Sequence, residues 1–94
     1  MTELFWTPEA TQDRDEIYDH NEADNPAAAL ALDELFEEKA RRLIGHPGLG
    51  RPGRVAGTHE LVAHQNYILV YDVAGDRVRV LRVLHAARQW PPQK

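Results

Sequence analysis

The chain contains no cysteine, which excludes a disulfide scaffold and thiolate metal sites together. No apolar run approaches the ~18 residues that a membrane-spanning helix needs. Near Met1 stand Glu3 and Glu9, where a secretory leader would carry basic residues and then an apolar stretch. A soluble, cytoplasmic protein without a membrane partner is expected. Aromatics are scarce, with two tryptophans, three tyrosines and two phenylalanines in 94 residues, so each is a candidate core or contact residue. The length suits one domain over 1–94 that buries roughly 60–65% of its unfolded surface. A hydrophobic content of 43% is too high for a disordered chain.

Basic charge is almost missing from the first 38 residues, where twelve acidic side chains face Arg14 alone, a net of −11. Residues 39–94 reverse this, with ten basic side chains against Glu60, Asp72 and Asp76, a net of +7. The total of −4 therefore conceals an acidic layer and a basic one. A protein that gripped nucleic acid over its whole surface would not be built so. The plainer reading is that the two halves attract each other weakly and are otherwise solvated.

Leu4-Phe5-Trp6 reads as a short first strand. Thr7-Pro8-Glu9 is a helix start: threonine accepts from free amides, proline suits the first turn, and glutamate favours the positive end of the dipole. This helix is expected over about 8–23, with a thin apolar stripe of Ala10, Ile17 and Tyr18. Asn25-Pro26 repeats the signal. The second helix carries Leu32, Leu35, Phe36, Ala40 and Leu43 at helical spacing, ends at Gly45, and cannot continue past Pro47. A tight turn between the two predicts a helical hairpin. Four glycines and two prolines in residues 45–54 make a loop. Strands are expected over 61–64, 67–73 and 77–84. Tyr67-Ile68-Leu69-Val70-Tyr71 is apolar on both faces, as a central strand is, while Arg77-Val78-Arg79-Val80 alternates. Past Val80 the alternation blurs, by a bulge or by burial on both faces. The expected fold is α+β: an N-terminal strand, an antiparallel helical hairpin, a three-stranded antiparallel meander and a short C-terminal tail.

Within that order lie Gly50-Arg51-Pro52-Gly53-Arg54-Val55, Gly57-Thr58-His59-Glu60-Leu61-Val62, Tyr67 to Tyr71, and Arg82-Val83-Leu84-His85-Ala86-Ala87-Arg88-Gln89-Trp90-Pro91. Together these phrases resemble the RelE/ParE superfamily of toxins from bacterial type II toxin–antitoxin systems, the ParE-like, plasmid-stabilisation type above all. Members often show a glycine-arginine loop, a G-T-R-E-L-V segment, a Y-x-x-x-Y strand and a closing R-V-L-H-G-A-R-Q-W-P. This chain departs twice: His59 stands in the place of the arginine, and Ala86 in that of the glycine after the histidine.

The resemblance implies a toxin that arrests growth until a cognate antitoxin binds it, with contact to operator DNA only through that antitoxin. It leaves two targets open: DNA gyrase for ParE-like members, and messenger RNA cut in the ribosome for RelE-like ones. Metal-free RNA cleavage needs a base, cations for the phosphorane and an acid. RelE-like enzymes commonly place an arginine after the first tyrosine of the Y-x-x-x-Y strand, where this chain has Ile68. The acidic total charge also suits ribosome binding poorly. Both points favour the gyrase branch, which needs no catalytic residue. If the chain cuts RNA, His85 is the candidate acid or base, with Arg82, Arg88 and Arg54 as phosphate-binding cations. The plainer alternative is that Arg82 pairs with a helix carboxylate while His85 hydrogen-bonds to backbone. A third reading is a degenerate toxin kept as an antitoxin-binding module.

Arg51, Arg54, His59 and Trp90 are candidates for contact with target or antitoxin, with Trp90 the anchor. The loop that carries Arg51 and Arg54 reads first as a flexible connector, and Trp6 and Trp90 read first as core lids. His59 and His64 lie five apart on one strand, so they should point to opposite faces and chelate poorly. The 45–54 loop lacks the lysine and serine or threonine of a phosphate-gripping loop. No metal and no cofactor are expected. The open edge of a small sheet should recruit the antitoxin, which is expected to bury an apolar groove beside the hairpin and neutralise the basic half.

Overall fold

The computed structural model describes residues 2–86. The elements follow in the order β1 (Glu3–Trp6), α1 (Pro8–Glu22), α2 (Pro26–Gly45), β2 (Arg51–Pro52), β3 (His59–His64), β4 (Tyr67–Ala74) and β5 (Arg77–His85). Both helices start as their sequences dictate. Thr7 Oγ1 accepts from the Ala10 amide at 3.1 Å, and Asn25 Oδ1 from the Ala28 amide at 3.1 Å, each with a proline in the first turn behind it. The second helix includes Gly45 and is capped by His46, whose N–H reaches the Arg42 carbonyl. Arg14 clamps the hairpin by bridging to Asp33 at 2.9 Å and Glu37 at 3.1 Å. Its guanidinium also lies 4.3 Å over the Trp6 ring.

One sheet runs in the order β1-β5-β4-β3-β2. The expected antiparallel meander is β3, β4 and β5, and β4 lies in the middle, which explains why 68–71 are buried without alternation. Two features go beyond the sequence reading. The first strand pairs parallel with β5, Glu3 beside Arg77 through Trp6 beside Val80, because the hairpin returns the chain to the same end of the sheet. Within the expected loop, β2 adds two residues to the outer edge of β3, with Arg51 opposite Glu60 and Pro52 opposite His59. Two residues carry no periodicity for a sequence reading to find, and proline is tolerated at an edge.

The core lies between hairpin and sheet. Ala10, Phe36 and Ala40 pack on Ala63, Leu69, Val80 and Val83, while Leu43 meets Tyr71 and Val78 at one end. The other face of the sheet has its own small cluster of Ile68, Val70 and Leu84.

The blurred pattern past Val80 is a bulge. Val70 pairs with Arg82 and Tyr71 with Val80, leaving Leu81 as the extra residue. Side chains of the first helix and its cap take up this irregular backbone. Thr7 Oγ1 donates to the Leu81 carbonyl at 2.9 Å, and the Val83 amide donates to Asp13 Oδ2 at 3.0 Å. The threonine that starts α1 therefore also fastens the bulge.

Candidate functional site

The glycine-arginine loop is pinned, not flexible as the sequence reading had it. The Gly50 amide donates to the Tyr71 hydroxyl at 2.8 Å, and that hydroxyl donates to the Pro47 carbonyl at 2.8 Å. Tyr71 is fully buried, and burial pushes its hydroxyl above the ordinary tyrosine range despite the opposing Gly50 N–H. A Cβ at Gly50 would stand 2.7 Å from that hydroxyl and 2.9 Å from the Glu60 carbonyl, so only glycine lets the chain approach so closely. At Gly53 a Cβ would collide with Thr58 Oγ1 and come within 3.1 Å of the Thr58 backbone. The Gly53 amide donates to the Thr58 carbonyl at 2.8 Å, and Thr58 Oγ1 to the Val55 carbonyl at 2.6 Å, which closes the loop on itself.

This loop holds Arg51 and Arg54 around one carboxylate. Arg51 Nη2 is 3.3 Å from Glu60 Oε1, the Arg54 amide donates to Oε2 at 3.2 Å, and Arg54 Nε lies 4.0 Å away. The Glu60 side chain is 2% exposed, while those of Arg51 and Arg54 are 62% and 51% exposed. A buried carboxylate thus orients two guanidinium groups whose outer faces meet solvent. Glu60 is the residue the sequence reading passed over. Its signal was there, as one of three acidic residues among ten basic ones in the second half of the chain.

His59 lies behind this loop. Its ring stacks on Tyr71 with centroids 5.2 Å apart and planes at 23°, and its Nδ1 is buried with no hydrogen-bond partner among the described residues. The expectation that His59 and His64 point to opposite faces is corrected by a second bulge. Val62 pairs with Ile68 but His64 with Tyr67, so Ala63 is the extra residue and the parity reverses. His59 and His64 stand opposite Tyr71 and Tyr67, on one face but about 13 Å apart along the strand. Among the described residues, no group of three or more His, Asp or Glu is placed to hold a metal ion.

The end of β5 forms a second locality. Asp13, Glu16, Ile17, His20, Tyr67, Val83 and His85 line an open cleft of about 190 Å³. His85 stands edge-on to the Tyr67 ring, with centroids 5.3 Å apart. Arg82 forks onto Asp13, Nε to Oδ2 at 2.7 Å and Nη2 to Oδ1 at 3.0 Å, and this hydrogen-bonded pairing pushes its pKa further up. The helix carboxylate of the plainer reading is therefore Asp13, which is 6% exposed. Arg82 and His85 share this strand end, whereas Arg54 belongs to the loop around Glu60. Arg88 and Trp90 lie outside the described residues. A third locality, an apolar groove of about 230 Å³, is lined by Ala28, Ala31, Leu32, Leu35 and His64, with the half-exposed Leu30 on the same helix. Among the described residues, no helix is long and apolar enough to cross a membrane.

Comparison with known proteins bears on this arrangement as a whole. The ParE toxin family of the type II toxin–antitoxin system parDE matches residues 4–90. The protein named "Putative toxin Y4kP" of Sinorhizobium fredii is 40% identical over 89 residues, which cover 94% of this chain and 92% of that protein. Toxin RelE2 of Caulobacter vibrioides is 33% identical over 88 residues, covering 94% and 99%. Among solved structures, the chromosomal ParDE toxin–antitoxin system of P. aeruginosa superposes with a TM-score of 0.82 at 30% identity, over 90% of this chain and 96% of that one. The chain belongs to the ParE toxin family, within the RelE/ParE superfamily of type II toxin–antitoxin systems.

Proposed function

We propose that this toxin stops growth by binding DNA gyrase, without chemistry of its own, and that a cognate antitoxin silences it by covering the apolar groove beside the helical hairpin. The observation that carries the gyrase reading is the electrostatics around His85. Cleavage of RNA needs cations where negative charge builds up on the phosphorane. The cleft at His85 is lined by Asp13 and Glu16, and Arg82 beside it is forked onto Asp13. Ile68, in the place where RelE-like enzymes resemble one another in carrying arginine, is an apolar side chain only 5% exposed. A phosphodiester would meet carboxylates there, at a cost.

In this reading Arg51 and Arg54 contact a partner directly, His59 supports their loop through Tyr71, and Trp90 anchors the tail on the target. The antitoxin partner is supported by the P. aeruginosa relative, which belongs to a toxin–antitoxin system. Its second half would carry the assembly to operator DNA.

One observation keeps the ribonuclease reading in play: His85 rims an open cleft next to Tyr67. In that case His85 is the acid or base and Arg82, Arg88 and Arg54 are the cations. Expression of the chain without antitoxin separates the two. Gyrase binding should arrest growth, induce the DNA-damage response, inhibit supercoiling by purified gyrase and spare purified ribosomes. Messages cut at codon boundaries, with the cutting lost in His85→Ala, would refute the gyrase reading. Normal growth would instead favour a degenerate antitoxin-binding module, and His59→Arg would then be the variant to express.

A further inference from the structure

Most of the described arginines are matched one to one by carboxylates, and one place departs from this. Among the described arginines, Arg42, Arg77, Arg79 and Arg82 each have a carboxylate of their own, in Glu38, Glu3, Asp72 and Asp13. Arg14 and Arg41 divide Asp33 and Glu37 between them. Arg51 and Arg54 alone share a single carboxylate, that of Glu60, so a net positive charge remains on two half-exposed guanidinium groups. Those groups are held by a loop that packs closely at Gly50 and Gly53 and is bonded to Tyr71. A rigid fork with spare donors suits an oxyanion.

The position of the loop says what carries that oxyanion. The second strand covers β3 only at His59 and Glu60, so no described strand pairs with the outer edge of residues 61–64. Val62 in this stretch is half-exposed. At its far end, His64 lines the apolar groove with Ala28, Ala31, Leu32 and Leu35. Groove, open edge and arginine loop therefore follow one another along a single strand, and with Ala63 as the extra residue the path from His64 to Glu60 is about 10 Å. An open edge offers unpaired N–H and C=O groups to an extended chain.

We propose that residues 61–64 of β3 receive an extended segment of the antitoxin, whose apolar side chain sits in the groove at His64 and whose Asp or Glu, three or four residues away, is gripped by Arg51 and Arg54. A protein carboxylate fits better than a nucleic-acid backbone. The site carries one net positive charge, whereas a duplex needs a track of several, and the first 38 residues carry a net charge of −11. This inference rests on the antitoxin reading above and adds to it an edge, a register length and a charged end point.

Calorimetric titration of the full chain with its cognate antitoxin tests it, together with amide hydrogen exchange on the complex. The receptor variant is Arg51→Gln, Arg54→Gln and Glu60→Gln together, so that no buried carboxylate is left without partners. It should bind about tenfold or more weakly, with a flatter salt dependence. Exchange in the wild-type complex should slow at 61–64. Equal affinity of the triple variant, or protection confined to the other sheet edge at residues 3–6, overturns the proposal while leaving antitoxin binding intact. Arginine-dependent binding of a 20-base-pair duplex tighter than that of the antitoxin also overturns it. A wild-type chain that does not bind the antitoxin refutes the partner reading from which it starts.

Discussion

Asp13 is the test of how the helices hold the working end of the sheet. Its carboxylate, 6% exposed, accepts three hydrogen bonds: two from the Arg82 guanidinium at 2.7 and 3.0 Å, and one from the Val83 amide at 3.0 Å. Replacing it with alanine leaves a guanidinium without that partner and a backbone donor unpaired beside the bulge. Breaking one side of a buried ion pair costs about 3–5 kcal/mol. The Arg82 side chain is 24% exposed, so water recovers part of that loss. The expected destabilisation for Asp13→Ala is about 2–4 kcal/mol after that discount. For a domain of this size each kcal/mol lowers Tm by about 4–8 °C, so the fall should be on the order of 10–30 °C.

Urea unfolding followed by circular dichroism gives the number directly, and a double-mutant cycle with Arg82→Met separates the pair from its surroundings. The two single changes should not add, because each removes the same contact. The double variant should lie within about 1 kcal/mol of Asp13→Ala, since neither charge of the pair then remains. A loss under about 0.5 kcal/mol for Asp13→Ala, or strict additivity in the cycle, would refute the reasoning. The bulge would then be stable without help from the first helix.

Other expectations are simpler to state. Thr7→Ala removes the cap of α1 and the donor to the Leu81 carbonyl together, and should cost about 1–2 kcal/mol in the same unfolding assay. Thr7→Ser, which retains the hydroxyl, should recover most of it. Gly53→Ala forces a methyl group against Thr58 and should destabilise by about 1–3 kcal/mol; no loss would mean that the loop is softer than its contacts indicate. Tyr71 ionises above the ordinary range, so its neutral hydroxyl contributes stability that is complete below the unfolded value near ~10 and lost as pH rises through the folded one. Tyrosinate absorbance should show a late step that coincides with alkaline unfolding. That step should vanish in Tyr71→Phe.

Local rules were enough for much of this protein. The helix starts at Thr7 and Asn25 follow from a capping side-chain oxygen set directly before a proline, and the central place of β4 follows from an apolar run with no alternation. The charge asymmetry was countable, and so was the Gly-Arg loop. What the chain could not disclose locally is how distant residues meet. Parity along β3 put His59 and His64 on opposite faces, and a single extra residue at Ala63, fixed by pairing with β4, reversed it. A loop with four glycines read as flexible because glycine frees the backbone. Here the missing side chains of two of them, Gly50 and Gly53, admit Tyr71 and Thr58 at close range, so these two pin the loop.

The sequence by itself therefore determined the order of the elements, the family phrases and the split of charge, because each depends on neighbours a few residues apart. Only the tertiary structure decided which charges cancel. Arg82 is sixty-nine positions from the Asp13 that neutralises it, while Arg51 and Arg54 converge on one Glu60 and keep a charge to spare. Composition gives the sum of charge, but distance in space governs which charges offset one another.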